Sequence, residues 1–144
     1  MAPDAAGVIS EISELARTNP EANVVAWLDS LPAADVATTA ITSAELLYGV
    51  ARLPDGRRRA ALAETMAALI SEDFRGRVES FDNLAAEQYA AVVVGREKKG
   101  RPISMADAQI AAICRVHSAT LATRNTGDFT DTGIDLINPW DVDD

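Results

Sequence analysis

Two acids stand out because of their neighbours. In Arg101-Pro102-Ile103-Ser104-Met105-Ala106-Asp107-Ala108-Gln109-Ile110-Ala111-Ala112, apolar residues recur at helical spacing and a single carboxylate, Asp107, lies among them. A carboxylate beside Ala and Ile is costly unless something pairs with it or coordinates it. Glu45 stands in a comparable stretch, Ile41-Thr42-Ser43-Ala44-Glu45-Leu46-Leu47-Tyr48-Gly49-Val50. Asn125 and Asp128 add two oxygen-bearing side chains in Arg124-Asn125-Thr126-Gly127-Asp128-Phe129. Ionised carboxylates gathered in one place repel one another unless a cation lies between them. A hard divalent ion, Mg²⁺ or Mn²⁺, matches such oxygen ligands and is suited to hydrolysis at a phosphate. No His-rich or Cys-rich spacing points to zinc. The same residues also read as ordinary punctuation. Ser104-x-x-Asp107 and Thr42-x-x-Glu45 both fit helix starts with an acid in the first turn, and Asn125 and Asp128 suit a turn. Both readings stand at this level.

For the metal reading to hold, the fold must bring these four residues to one edge. Strand patterns fall at Val8-Ile9, Val36–Ala40, Val78–Phe81, Ala119–Thr123 and Ile134–Ile137. Helix patterns fall at Ser10–Arg17, Glu21–Leu31, from Thr42 to about Leu53, Arg57 to about Glu72, Asn83–Lys99 and from Ser104 to about His117. Asn19-Pro20, Pro32 and Pro54-Asp55-Gly56 separate them. The alternation predicts an α/β fold, helix-rich, with a small parallel β-sheet flanked by helices on both faces. In such sheets ligands gather beyond the carboxyl ends of the strands. Glu45 follows the strand at 36–40, Asn125 and Asp128 follow the strand at 119–123, and Asp107 opens a helix, so all four are candidates for that edge.

Composition narrows the alternatives. The 144 residues suit one domain, 1–144, with residues 1–7 and 141–144 expected to be irregular. No apolar run approaches the roughly 20 residues that a membrane-spanning helix requires. Met1 to Gly7 has neither the basic nor the apolar region of a signal peptide, so the cytoplasm is the expected location. A net charge of −9 argues against a general nucleic-acid coat protein, though not against an enzyme that meets nucleic acid through a metal ion. The one cysteine, Cys114, lies in an apolar helical pattern and is expected to be a buried structural thiol; the one histidine, His117, is expected to be a cation at a helix end. Trp27, Trp140, Tyr48 and Tyr89 are expected in the core or at an interface, and Arg57-Arg58-Arg59 at a solvated helix start.

The chain resembles the PIN-domain family, specifically VapC-like toxins of the FitB-like branch. The likeness is carried by Ile41-Thr42-Ser43-Ala44-Glu45-Leu46-Leu47-Tyr48-Gly49, Ile103-Ser104-Met105-Ala106-Asp107-Ala108-Gln109-Ile110-Ala111-Ala112, Leu121-Ala122-Thr123-Arg124-Asn125-Thr126-Gly127-Asp128-Phe129 and Asn138-Pro139-Trp140. It extends from about Val8 to Trp140. The resemblance implies a ribonuclease dependent on Mg²⁺ or Mn²⁺, the toxin of a VapBC-type toxin–antitoxin system. It further implies an RNA substrate, a cognate VapB- or FitA-like antitoxin and a homodimer. Carried over by position, Glu45 and Asp107 match two of the family's acids. Asn125 occupies the place of the last acid with Asp128 beside it, and Thr123 matches a polar position near the metal.

The departure is at the front. The family opens with an apolar strand ending in Asp, then Thr or Ser, then Asn or Ser. With Val8-Ile9-Ser10-Glu11 aligned after that motif, Ala5 stands where Asp is expected and Ala6 and Gly7 take the two polar places. Asp4 is one residue early, and a one-residue slip in a strand turns a side chain to the opposite face. Asp4 is therefore the weakest of the metal candidates. Two expectations remain open: a ribonuclease whose activity is weakened or lost, and a degenerate PIN domain acting as an antitoxin-binding and dimerisation module.

Overall fold

The computed structural model describes residues 7–10, 26–27, 30–68, 70–71, 74 and 76–139. Five strands, β1 (Val8–Ser10), β2 (Val36–Thr39), β3 (Val78–Glu79), β4 (Thr120–Ala122) and β5 (Leu136–Ile137), form one sheet in the order β3-β2-β1-β4-β5. Every adjacent pair is parallel. Among the described residues the α-helices of more than two turns are α1 (Ala40–Ala51), α2 (Arg57–Ala68), α3 (Asn83–Lys98) and α4 (Met105–His117).

Register explains why helices cover both faces. Successive strand residues point to opposite sides. Ala37, Ile9, Leu121 and Leu136 are register partners across four strands, and all four join one apolar cluster, with Val92 of α3, Ile110 and Ile113 of α4, and Phe129. Their neighbours Val8, Val36, Ala122 and Ile137 join the opposite cluster, with Trp27, Leu46 and Val50 of α1, and Met66 of α2. A sheet buried on both sides needs nearly continuous apolar strands, which is what these short strands provide. The α/β fold with helices on both faces is as expected from the sequence.

α4 is the central helix. Ala108, Ile110, Ala111, Ala112, Ile113 and Cys114 are all fully buried, so the helix is packed on nearly every side. Ser104 caps it, accepting from the Asp107 N–H at 3.2 Å. Ser118 closes it in the left-handed conformation, φ +51°. His117 ends it as expected, with Nε2 3.3 Å from a carboxylate oxygen of Glu79.

Other boundaries differ from the sequence reading. α1 begins at Ala40, not at Thr42, because the capping residue is Thr39. The third strand stops at Glu79, and residues 80–82 lead into the Asp82 cap of α3, whose carboxylate accepts from the Ala85 N–H at 3.0 Å. The fifth strand contains only Leu136 and Ile137. Tyr48 is 65% exposed, with the Arg52 guanidinium 5.6 Å from its ring centre, so it is not part of the core. Arg57 and Arg58 are exposed, as expected of a solvated helix start, and Arg59 pairs with Asp55. Ser10, expected to open a helix, is the last residue of β1; the rest of the helix expected at 10–17, most of the helix at 21–31, Glu72, Trp140 and the C-terminal tail lie outside the described residues.

Candidate functional site

Asp107 occupies the third position of α4, within the first helical turn, as the Ser104-x-x-Asp107 spacing predicted. The positive end of the helix favours an anion there. Burial nevertheless raises its carboxyl above the ordinary aspartate range. A bond from the Ser104 hydroxyl pulls it back, the Asp128 charge raises it, and the Arg96 guanidinium lowers it; the net direction is upward. Asp107 is half-buried in a cleft of about 440 Å³ whose lining includes Arg96, Arg101, Ser104, Gly127 and Asp128.

Glu45, exposed on α1, lies within electrostatic range of Asp107. Its carboxyl is raised above the ordinary glutamate range, first by burial and second by repulsion from Asp107. Glu45 is not in the first turn of its helix, however. With Thr39 as the cap, α1 starts at Ala40 and has no acid in its first turn. The helix-end support expected for Glu45 is therefore weaker than that for Asp107, since the effect fades beyond the first turn. What fixes Glu45 is the phase of the helix. Thr39 is fully buried, its hydroxyl accepts from the Thr42 N–H at 2.9 Å, and it lies 2.9 Å from the Thr42 hydroxyl.

Asp128 and Asn125 follow β4 as expected, but in an ordered turn rather than an open loop. Residues Thr126–Phe129 form a 3₁₀ turn. Phe129 is buried beneath it and anchors it to the core, which leaves Asp128 on the outside. The Asp128 N–H donates to the Asn125 carbonyl at 3.0 Å, and the buried Thr123 hydroxyl accepts from the Asn125 N–H at 3.1 Å. Asn125 is exposed, and its side chain makes no capping bond to the turn. Thr123, carried over as a polar position near the metal, also holds the loop backbone through this bond.

The structure thus brings Asp107 within electrostatic range of both Glu45 and Asp128. Their oxygens are the donors a hard divalent cation takes, and a cation at Asp107 would relieve both repulsions that raise the carboxyls. The arrangement is a chain of pairs sharing Asp107: among the described residues, no three or more His, Cys, Asp or Glu side chains form a group that could hold a metal ion. Asp4 and Ala5 lie outside the described residues. The central strand is Val8–Ser10, and its carboxyl end is Ser10. This strand agrees with the pattern at Val8-Ile9.

One residue of this site escaped the sequence reading. Arg96 belongs by sequence to the basic run Arg96-Glu97-Lys98-Lys99 at a helix end, but it is 5% exposed and lines the cleft. Its signal was the 85, 89, 92, 96 spacing, which places it on the inward face of α3 with Ala85, Tyr89 and Val92.

The PIN domain family profile matches residues 6–134. The chain is 43% identical over 129 residues to Toxin FitB of Neisseria gonorrhoeae, covering 90% of this chain and 93% of the relative. It is 37% identical over 130 residues to VapC ribonuclease Y4jK of Sinorhizobium fredii, with the same coverages of 90% and 93%. The crystal structure of FitAcB from Neisseria gonorrhoeae superposes with a TM-score of 0.86 at 40% identity, covering 94% of this chain and 99% of that one.

Proposed function

The chain belongs to the PIN domain family, and from that membership we propose that it is the toxin of a VapBC-type toxin–antitoxin system, an endoribonuclease dependent on Mg²⁺ or Mn²⁺. The observation that carries the reading is Asp107: a half-buried acid at a helix start, on a cleft, repelled by Glu45 and by Asp128. The names of two relatives, a toxin and a ribonuclease, support the same assignment.

Asp107, with Glu45 or Asp128 beside it, would hold the ion, since Mg²⁺ is commonly bound through only one or two carboxylates, and Asn125 stands at the edge of the set. When bound, Mg²⁺ or Mn²⁺ supplies neutralisation of charge at the scissile phosphate and activation of the attacking water. The chain's own contribution is placement. Ser104 fixes Asp107, Thr39 fixes the phase of α1 and with it Glu45, and the Phe129 anchor holds Asp128 outward. The substrate is RNA, the inhibitor a VapB- or FitA-like antitoxin, and the active form a homodimer. The cytoplasm is the expected compartment, and no helix among the described residues is long and apolar enough to cross a membrane.

A second reading is favoured by the front of the chain. Ala5-Ala6-Gly7 replaces the Asp and two polar residues expected there, which points to a degenerate domain that keeps its binding surfaces without cleavage. Because β1 ends at Ser10, the next acid in sequence is Glu11, not Asp4.

The experiment is RNA cleavage with and without Mn²⁺, paired with Mn²⁺ titration by calorimetry, on the chain and on Asp107→Ala, Ala5→Asp and Glu11→Gln. Cleavage that needs Mn²⁺ and is lost in Asp107→Ala supports the ribonuclease. Cleavage only in Ala5→Asp supports the degenerate module. Absence of Mn²⁺ binding in all forms refutes the site.

A further inference from the structure

Arg96 is a buried cation whose hydrogen bonds all go to backbone carbonyls, with the Asp107 carboxylate within electrostatic range. Its side chain comes from the last turn of α3 and forms no ion pair among the described residues. Nε donates to the Arg101 carbonyl at 2.6 Å, and Nη1 donates to the Asp128 carbonyl at 3.0 Å and the Thr130 carbonyl at 2.9 Å. Nη2 reaches toward the Pro102 carbonyl at 3.5 Å. A buried charge is expensive unless its donors are satisfied, and guanidinium offers five donors in a planar fork.

Those acceptors belong to two separate segments. Arg101 and Pro102 lead into the Ser104 cap and Asp107. Asp128 and Thr130 belong to the turn that follows β4. More than twenty residues of chain separate the two segments, and α4 and β4 lie between them. One planar group bridges them from inside the cleft that both acids line. Lys99 and Arg101 repeat the connection at the surface, each pairing with Asp131, at 3.2 and 3.3 Å, but these contacts are exposed and weak.

We propose that Arg96 is a positioning residue for the metal centre, setting the separation of Asp107 and Asp128 by tying their two segments to one guanidinium. This inference rests on the ribonuclease reading above and names a residue that acts through both acids without being a ligand. Lysine keeps the charge but has no fork, so it cannot satisfy carbonyls on both sides in one plane. Outer partners that orient metal ligands typically change metal affinity about 10- to 100-fold when replaced.

The test compares Mn²⁺ binding by calorimetry in the full chain, Arg96→Lys, Asp107→Ala and Met66→Ala. Met66 is 1% exposed in the opposite cluster, so its variant reports lost stability without touching the cleft. The expected result is a Kd for Mn²⁺ raised at least tenfold in Arg96→Lys and within twofold of the native value in Met66→Ala. A native-like Kd in Arg96→Lys, with binding abolished in Asp107→Ala, overturns the role of Arg96 and leaves the ribonuclease reading intact. No Mn²⁺ binding by the native chain overturns both. A second measurement needs no variant. The Nη–H resonances of Arg96 in the native chain are expected to be separately resolved and to shift in step with Mg²⁺ saturation; signals averaged by rotation, or unmoved by Mg²⁺, overturn the proposal.

Discussion

Replacing Thr39 by Val tests how the fold holds Glu45. Valine keeps the volume and the strand-compatible branching of threonine at the end of β2 and removes only the hydroxyl. That hydroxyl is the cap of α1, and losing a cap is worth about 1 kcal/mol. Its removal also strands the Thr42 N–H and changes the environment of the Thr42 hydroxyl, in a place where Thr39 is fully buried and Thr42 is 4% exposed. Unsatisfied buried polar groups cost about 1–3 kcal/mol. The methyl that replaces the hydroxyl returns about 0.8 kcal/mol of apolar burial. The net expectation is a loss of about 2 kcal/mol. At about 2.1 cal/mol/K per residue, 144 residues give an unfolding entropy of about 0.3 kcal/mol/K, so Tm falls by about 7 °C. Thr39→Ser keeps the oxygen and loses a methyl, a loss of about 1 kcal/mol. Calorimetric melting of the three proteins is the assay. A Tm for Thr39→Val within about 2 °C of native, or a larger loss for the serine variant than for the valine one, refutes the assignment of Thr39 as the cap.

The carboxyls raised at Glu45 and Asp107 make the metal-free protein pH-sensitive in a defined direction. The folded state holds these protons more tightly than the unfolded chain does. Their stabilising contribution is therefore fully present below the ordinary acid range and is lost as pH rises through the raised folded values. Urea unfolding in EDTA from about pH 4 to 7 should show a decline that Glu45→Gln with Asp107→Asn flattens; an equal slope in both proteins contradicts the reading. Burial pushes the Cys114 thiol up to about 12, so the folded protein should not react with a disulfide reagent at pH 8 while the urea-unfolded chain reacts fully; fast labelling of the native form disproves the packing of α4.

The legible parts of the molecule are those whose causes are local. Ser104 and Asp107 are three residues apart, the cap needs nothing else, and the apolar repeat that follows them runs to His117. The structure agrees at each point. Thr39, Thr42 and Ser43 offered several hydroxyls in a row, and Thr42-x-x-Glu45 is a capping pattern by spacing alone. Which hydroxyl caps α1 depends on where β2 ends, and that is set by pairing with the neighbouring strands β1 and β3. The strand pattern at Val78–Phe81 overran for a related reason. Asp82 captures the Ala85 N–H and begins α3, while Phe81 turns to meet Tyr89 edge-on at 5.8 Å.

The candidate site divides along the same line. The acids could be found from sequence because a charge among apolar residues is conspicuous. Their relative positions could not, because these depend on contacts between distant segments. Asp128 faces outward because Phe129 is drawn into a core built by α4 and β1. The turn that carries it is tied to the α4 approach by Arg96, thirty-two residues away in the chain from the Asp128 carbonyl. Glu45 comes within electrostatic range of Asp107 because a buried threonine sets the start of a different helix. Three acids are therefore supported by three unrelated devices: a helix cap at Ser104, an aromatic anchor at Phe129 and a helix start at Thr39. Repulsion between the acids opposes the arrangement, and packing elsewhere in the sheet holds it in place. If the proposed cation binds such a site it would relieve that repulsion, so metal binding and thermal stability should change together in every variant that leaves those three devices intact.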